Sequence, residues 1–215
     1  MQSDASAVPK NAEERVKDAV LAYLNETYHP RAVFLYGSFQ RGDQDTYSDF
    51  DCTLIVDEKP RKHDDTVICG VPLDCFLFTA AEAETEDPDA FLPVYGAELV
   101  QDDGVGKRLQ SRVRDYVHEH ERIDDEEKAF IRAWIRKTVK RAEKGDDEGN
   151  FRAVAFLWES LTDYCFLRDR FYFGSKQTIA DLRQHDPAGY ALFHRAITEK
   201  NLETITAWAE HVIRE

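Results

Sequence analysis

Two aspartates, Asp49 and Asp51, stand two residues apart at the start of a run of β-branched and apolar residues. In an extended segment this spacing places both carboxylates on one face, while Phe50 between them turns toward the core. Two neighbouring carboxylates repel each other unless a proton or a cation lies between them. Magnesium accepts carboxylate ligands and keeps other positions open for substrate phosphates. The pair therefore predicts a site for a divalent cation.

A third aspartate, Asp74, lies in the apolar segment 73–78, which reads as an adjacent strand. A lone acid in a strand that is otherwise core is costly unless it has a partner. A cation shared with Asp49 and Asp51 would supply that partner. Asp74 is therefore predicted to be the third ligand.

A Gly-Ser pair, Gly37 and Ser38, follows the apolar run 32–36. Glycine lets the backbone approach closely, and the amide and hydroxyl of the serine can donate to phosphate oxygens. Taken singly, the Gly-Ser pair also fits a simple turn, the Asp49–Asp51 pair fits a solvated surface, and Asp74 fits an edge strand. Their order along the chain (strand, Gly-Ser, Asp-x-Asp, third aspartate) favours a site that binds a metal and phosphates.

These residues resemble the polymerase-β-like nucleotidyltransferase superfamily, whose signature is an apolar strand, Gly-Ser, a spacer and Asp-x-Asp, with a third acid downstream. Arg41, Gly42 and Ser48 extend the match to a small bacterial branch that includes antibiotic nucleotidyltransferases and minimal nucleotidyltransferases. The second half looks like the helical domain of kanamycin-type aminoglycoside nucleotidyltransferases, around the Gly-Ser-Lys sequence that ends at Lys176.

The resemblance implies transfer of a nucleoside monophosphate from a magnesium-bound triphosphate, with ATP expected, to an acceptor hydroxyl, with pyrophosphate leaving. Asp49 and Asp51 would bridge two magnesium ions. Asp74 would hold the ion nearest the acceptor hydroxyl and could accept its proton, a role that in some relatives falls to a glutamate of the helical half. The candidates for that glutamate are Glu126, Glu127 and Glu159.

The same resemblance assigns contacts with the triphosphate. Gly37, Ser38, Arg41 and Ser48 would bind it. Lys176 could reach the same phosphates, or it could be an exposed lysine at the start of a helix.

The elements that must position these residues change character near residue 110. Before it, the chain opens with a predicted helix at 9–25. Short β-rich runs then predict the strands of a small mixed sheet, at 32–36, 52–56, 66–69, 73–78 and 98–100. After it, the period is helical, with a break at 145–150 and closing helices at 175–184, 187–199 and 202–214. We expect an α+β protein with a nucleotidyltransferase domain at 1–108 and a helical bundle at 109–215.

Two apolar stripes of the helical half are expected to form its core. Their members are Phe130, Ile131, Trp134, Ile135 and Thr138 in one helix, and Val154, Leu157, Trp158, Leu161 and Cys165 in the next.

The amino-acid composition limits the classes of partner that the chain is expected to bind. The chain has 28 basic and 42 acidic residues, a formal charge of −14, which disfavours nucleic acid and anionic lipid and favours a cationic partner. The charge could equally serve solubility alone. With no apolar run of about 18 residues and no leader sequence, the chain is expected to be soluble and cytoplasmic. Its four cysteines show no metal-binding spacing and are expected to be reduced.

The leading hypothesis is a nucleotidyltransferase that acts on a small cationic acceptor such as an aminoglycoside. An antitoxin-like enzyme that modifies a protein by AMPylation is the first alternative, and a nucleotide-binding regulator without turnover is the second. The sequence leaves a homodimer open.

Overall fold

A computed structural model describes residues 12–214, with the side chains of residues 14–214. Residue contacts divide the chain into a first unit that ends at Tyr116 and a second that begins at Val117. The strands are β1 (Ala32–Leu35), β2 (Phe50–Val56), β3 (His63–Asp64), β4 (Val67–Ile68), β5 (Val71–Thr79) and β6 (Glu98–Asp102). The α-helices are α1 (Ala12–Tyr28), α2 (Gly37–Arg41), α3 (Ala80–Thr85), α4 (Val105–His120), α5 (Asp125–Ala142), α6 (Asp147–Phe166), α7 (Ser175–His185), α8 (Pro187–Glu199) and α9 (Leu202–Val212).

The first unit is built on a mixed sheet. Within the described residues its strand order is β3-β5-β2-β1-β6, and β4 forms a hairpin with β5. The β2–β5 pair is parallel, whereas β1 pairs with β2 and β6 in the antiparallel sense. The parallel pair is the one that matters for the site, because it aligns the starts of two strands that are not consecutive in the chain.

The core of this unit lies between the sheet and α1. Val20, Leu24 and Tyr28, spaced four residues apart on α1, belong to one buried cluster with the strands. All four residues of β1 are buried, as expected for a central strand covered on both faces. The predicted start of α1, Pro9, lies outside the described residues.

The second unit is a helical bundle. Residues from all five helices, α5 through α9, form its core. Trp208 of α9 is fully buried, and its indole N–H donates to the hydroxyl of Ser160 at 2.9 Å. A sheet unit followed by helices confirms the predicted α+β class. Among the helices found in residues 12–214, none has the length and apolar character needed to cross a membrane.

One predicted boundary, the break between two helices, differs from the structure. The break predicted at 145–150 is shorter, because Asp146 caps α6 by accepting the amide of Gly149 at 2.9 Å, and the helix begins at Asp147. An aspartate at the N-cap position favours the start of a helix. The glycines of this segment instead suggested a longer loop. The domain boundary expected between 108 and 109 stays a prediction; it lies within α4, as does the point after Tyr116 where the residue contacts divide the chain.

The predicted core stripes are wrong in part. Ile135, Thr138, Leu161 and Cys165 are buried as expected. Four other members of the stripes are exposed: Phe130 (70%), Trp134 (39%), Val154 (57%) and Trp158 (88%). On α6 the buried face also contains small and polar residues, including Ala153 and Ser160, which an apolar pattern does not detect. Several of the largest apolar side chains of α5 and α6 therefore face outward.

Candidate functional site

The parallel pairing of β2 and β5 brings the three aspartates together. In its register Asp51 is the direct partner of Asp74, so the two side chains stand side by side on one face of the sheet. Asp49 immediately precedes β2. One carboxylate oxygen from each of the three residues lies within 4.8 Å of the other two. Asp74 stands between the buried Leu73 and Cys75, so it occupies the open face of β5 and is half-buried, whereas the sequence suggested a core position.

The Gly-Ser turn contacts this cluster directly. Gly37 begins α2 with φ +71°, and a Cβ at this position would lie 1.8 Å from Oδ2 of Asp51. The amide of Tyr36 donates to the backbone carbonyl of Asp51 at 3.2 Å. Only glycine allows the chain to pass so close to the carboxylate. The backbone of the turn and the Asp51 side chain therefore form one packed unit.

The donor set of the cluster suits a hard divalent cation. All three groups are carboxylates, Asp49 is exposed, and Asp51 and Asp74 are half-buried. Oxygen-only sites favour Mg²⁺ or Mn²⁺, whereas zinc sites usually contain nitrogen or sulfur ligands. A bound cation would also offset the repulsion among three carboxylates held this close. The residues present therefore fit the divalent metal that Asp-x-Asp chemistry needs.

His63 is a neighbour of the cluster that the sequence did not indicate. Its Nε2 lies 2.7 Å from Oδ1 of Asp74, and its ring packs on Phe76 at 4.8 Å between centroids. The strand that carries it, β3, has two residues and no periodicity to detect, and its pairing with β5 supplies the contact. Because one carboxylate oxygen of Asp74 is engaged by His63, the imidazole fixes the orientation of the other.

Replacing His63 with alanine should therefore weaken divalent metal binding. We expect the dissociation constant for Mn²⁺, measured by titration calorimetry, to rise by about tenfold, as found for residues that orient metal ligands. His63→Gln should restore part of the affinity because its amide can donate to Asp74. His185→Ala, an exposed histidine of α7, is the control. Equal affinities for wild type and His63→Ala would refute the role.

The other residues predicted in the first unit lie in or beside the loop between α2 and β2. Ser38 is buried. Ser48 shapes the loop, since its hydroxyl accepts the amide of Asp45 at 2.9 Å. Arg41 forms an ion pair with Asp43 at 3.1 Å and is exposed. Their contacts with a triphosphate remain predictions.

The residues predicted in the second unit are all exposed. Lys176 lies in the first turn of α7, Glu126 and Glu127 in the first turn of α5, and Glu159 in the middle of α6. Exposure leaves each available to a ligand, and the choice among the three glutamates stays open.

Asp163, one turn after Glu159 on α6, is a titratable residue that the sequence analysis missed. Burial raises its pKa to about 6, and the charge of Glu159 acts in the same direction. The signal was available as two acids at i and i+4 in the mostly apolar second half of α6. A carboxyl group that titrates near neutrality is suited to proton exchange, although in a helical bundle it also lowers stability.

Asp163→Asn should stabilise the protein at neutral pH. The raised pKa means that the folded state binds more protons than the unfolded state between about pH 4 and 6, so stability falls as pH rises through this window. The full penalty, on the order of 1–2 kcal/mol after allowing for solvent screening, is present above pH 6. Denaturant unfolding at pH 7.5 should show the gain, and at pH 4 the variant and wild type should converge. A variant that is equally stable at pH 7.5 would refute it.

Two thiols lie beside the aspartates but are not arranged as nucleophiles. Cys52 and Cys75 are register partners in β2 and β5, both buried, and all four cysteines are free. A hydrogen bond with Cys75 and burial raise the pKa of Cys52 well above its ordinary value. The thiol therefore stays protonated, and the chemistry of this region belongs to the carboxylates.

Comparisons with known proteins identify the family of this chain. The family described as "Nucleotidyltransferase domain" matches residues 17–141, more than half of the chain. A solved structure of a nucleotidyltransferase-like protein from Exiguobacterium sibiricum 255-15 is similar at a TM-score of 0.39 and 11% identity, over 94% of this chain and 74% of that one. No curated protein matches. On the family match, this chain belongs to the nucleotidyltransferase domain family.

Proposed function

We propose that this protein transfers a nucleoside monophosphate from a nucleoside triphosphate, with ATP the expected donor, to a hydroxyl of a small cationic acceptor such as an aminoglycoside. In the reaction the acceptor oxygen bonds to the α-phosphorus, the bond to the bridging oxygen breaks, and pyrophosphate leaves. The observation that carries the proposal is the cluster of Asp49, Asp51 and Asp74, packed against the Gly-Ser turn of a nucleotidyltransferase domain.

The three aspartates are assigned to metal binding. Asp49 and Asp51 would hold two Mg²⁺ ions, and Asp74, oriented by His63, would hold the ion on the acceptor side. When bound, such ions neutralise charge that develops on the attacking and leaving oxygens. The proton of the acceptor hydroxyl passes to a carboxylate, either Asp74 or an acid of the helical unit.

The loop residues are assigned to the triphosphate. The backbone amides at the start of α2 can approach phosphate oxygens because Gly37 has no side chain. Ser48 stabilises the loop through Asp45 and would donate to the same phosphates. Arg41 would have to exchange Asp43 for phosphate, a substitution of one anion for another that costs little in an exposed ion pair. Lys176 is kept as a further phosphate ligand.

The charge of the chain supports a cationic acceptor. A net charge of −14 attracts polycations over distances set by the ionic strength, and amino sugars carry several ammonium groups at neutral pH. A cationic acceptor predicts a KM that rises with salt concentration. An uncharged acceptor would show little dependence.

The test is a direct assay of transfer. Purified protein, magnesium and each of the four common nucleoside triphosphates are incubated with a panel of aminoglycosides, and the acceptors are examined by mass spectrometry for a gain of one nucleoside monophosphate. Asp51→Asn is the inactive reference, and Asp57→Asn, an exposed acid just after β2, is the matched control.

Each outcome is decisive. Transfer by wild type and Asp57→Asn, but not by Asp51→Asn, supports the proposal. If the nucleoside monophosphate is instead found on proteins of a lysate and on no small molecule, the protein is an enzyme that modifies proteins. Triphosphate binding without pyrophosphate release from any acceptor would replace the proposal with a regulatory role.

A further inference from the structure

One face of α5 has the spacing of a helix that pairs with another helix. Successive residues three and four positions apart form a seam along the helix. The members of this seam are Glu127, Phe130, Trp134, Lys137, Arg141 and Lys144. All are exposed or partly exposed, and the bundle core is formed by a different face of α5, through Ile135, Thr138 and Ala142. The seam is therefore an outward surface of the helix.

The centre of this seam is aromatic. Phe130 is 70% exposed and Trp134 is 39% exposed, one turn apart. Large aromatic side chains dominate the energetics of protein interfaces. Burying these two adjacent side chains against a partner would therefore be favourable. The pair is a candidate anchor for a contact.

Two residues of opposite charge flank the aromatic pair on the seam. Glu127 and Lys137 are exposed, and neither side chain has an ion-pair partner among residues 14–214. Neighbouring residues of α5 behave differently: Lys128 pairs with Asp169 at 2.6 Å and Lys140 with Glu143 at 2.7 Å. Glu127 and Lys137 are therefore available to pair with charges of another molecule.

The basic end also borders an open groove between α5 and α6, with a volume of about 550 Å³. Its lining residues are Lys137, Lys140, Arg141, Glu143, Lys144 and Arg152. Three of the five lining cations are paired with acids (Lys140 with Glu143, Arg141 with Asp146 and Glu148, Arg152 with Glu148), so among the described residues Lys137 and Lys144 are its unpaired positive charges. An acidic protein segment is therefore attracted to it, and other copies of the chain are acidic proteins.

The seam is complementary to itself. Glu127 and Lys137 lie at equal distances on either side of position 132, and so do Phe130 and Trp134. When two identical helices meet antiparallel across a two-fold axis at that position, each residue faces the one equidistant from the centre. Glu127 then meets Lys137 of the second copy, and Phe130 meets Trp134 of the second copy, in both halves of the interface.

We propose that two copies of this protein associate through α5, antiparallel, with the Phe130–Trp134 contacts at the centre and the Glu127–Lys137 ion pairs outside them. Because Phe130 is 70% and Trp134 39% exposed, the four aromatic side chains would bury on the order of 300–550 Å² of their own surface, to which the flanking charged side chains add. This is the size of a weak interface, so the dimer should form at micromolar or higher concentration.

Sedimentation equilibrium over a protein range of about 1–200 μM tests the proposal. We expect Trp134→Ala and Lys137→Glu each to raise the dimer dissociation constant by about tenfold or more. The double variant Glu127→Lys/Lys137→Glu exchanges the two charges and should return the constant to within about threefold of wild type. That recovery distinguishes a paired contact from general destabilisation.

Two matched controls use residues off the seam. Trp158→Ala removes a tryptophan of α6 that is 88% exposed, and Lys107→Glu reverses an exposed lysine of α4. Both should leave the dissociation constant unchanged. A monomer at every concentration, no recovery in the double variant, or equal effects of the control substitutions would each overturn the proposal. So would association of the wild type only with an unrelated acidic peptide.

Discussion

Asp51→Asn should reduce nucleotidyl transfer by about a thousandfold or more while leaving the fold intact. Asp51 lies at the centre of the site, because it is the register partner of Asp74 and packs on Gly37. Asparagine keeps the shape of the side chain but removes the charge that a divalent cation requires. Losses of this size are typical when a group that stabilises developing charge is removed.

The same substitution should not lower stability. Three carboxylates within 4.8 Å of one another repel in the absence of a cation, and removing one charge relieves that repulsion. We therefore expect the melting temperature of Asp51→Asn, measured without metal, to equal or exceed that of wild type. Added Mn²⁺ should raise the melting temperature of wild type and have little effect on the variant.

Asp57→Asn is the control for both measurements. Asp57 follows β2, has an exposed side chain, and pairs loosely with Arg31 at 3.4 Å. Its replacement removes the same charge just beyond the end of β2, outside the cluster. Activity within about twofold of wild type and an unchanged response to Mn²⁺ are expected. If Asp51→Asn retained substantial activity, the carboxylate cluster would not be the reacting centre.

The parts of the site carried by local pattern were predictable from sequence. Alternation along an extended chain is local, so it correctly predicted that Phe50 points to the core and that Asp49 and Asp51 point away from it. The prediction that Asp74 lies near Asp49 and Asp51 required the further assumption that its segment forms a neighbouring strand. The register that pairs it with Asp51 is set by the sheet and was not contained in either segment.

The parts set by tertiary packing were not predictable. His63 contacts Asp74 because a two-residue strand pairs with β5, and no periodicity marks so short an element. Phe130 and Trp158 were assigned to the core because apolar residues recur at helical spacing, but helical spacing does not tell which of two adjacent stripes is buried. Small and polar residues such as Ser160 occupy the buried stripe instead.

Gly37→Ala should both destabilise the protein and disable the site. A Cβ at this position would lie 1.8 Å from Oδ2, 2.5 Å from Cγ and 2.9 Å from Cβ of Asp51. Rotating the carboxylate away relieves the first two overlaps but not the third, because the Cβ of Asp51 is fixed by β2. The backbone at φ +71° adds its own cost for any residue with a side chain. We expect a loss of about 3 kcal/mol in the free energy of unfolding.

Gly42→Ala separates these two causes. Gly42 has nearly the same backbone angle, φ +75°, but no atom lies within 4 Å of a Cβ placed there. It should therefore show the backbone cost alone, about 1 kcal/mol, with activity largely retained. The difference between the two glycine variants in urea unfolding measures the overlap with Asp51.

A double-mutant cycle assigns that difference to one contact. In an Asp51→Gly background all three overlapping atoms are absent, so Gly37→Ala should cost no more than Gly42→Ala does in wild type. An undiminished cost would mean that Gly37 is required for the turn itself and not for its approach to the carboxylate. The expected collapse of the penalty would instead show that the glycine of the Gly-Ser pair and the second aspartate of Asp-x-Asp are coupled by direct contact. Substitution of either would then displace the other, which gives a physical reason why the two occur together in one motif.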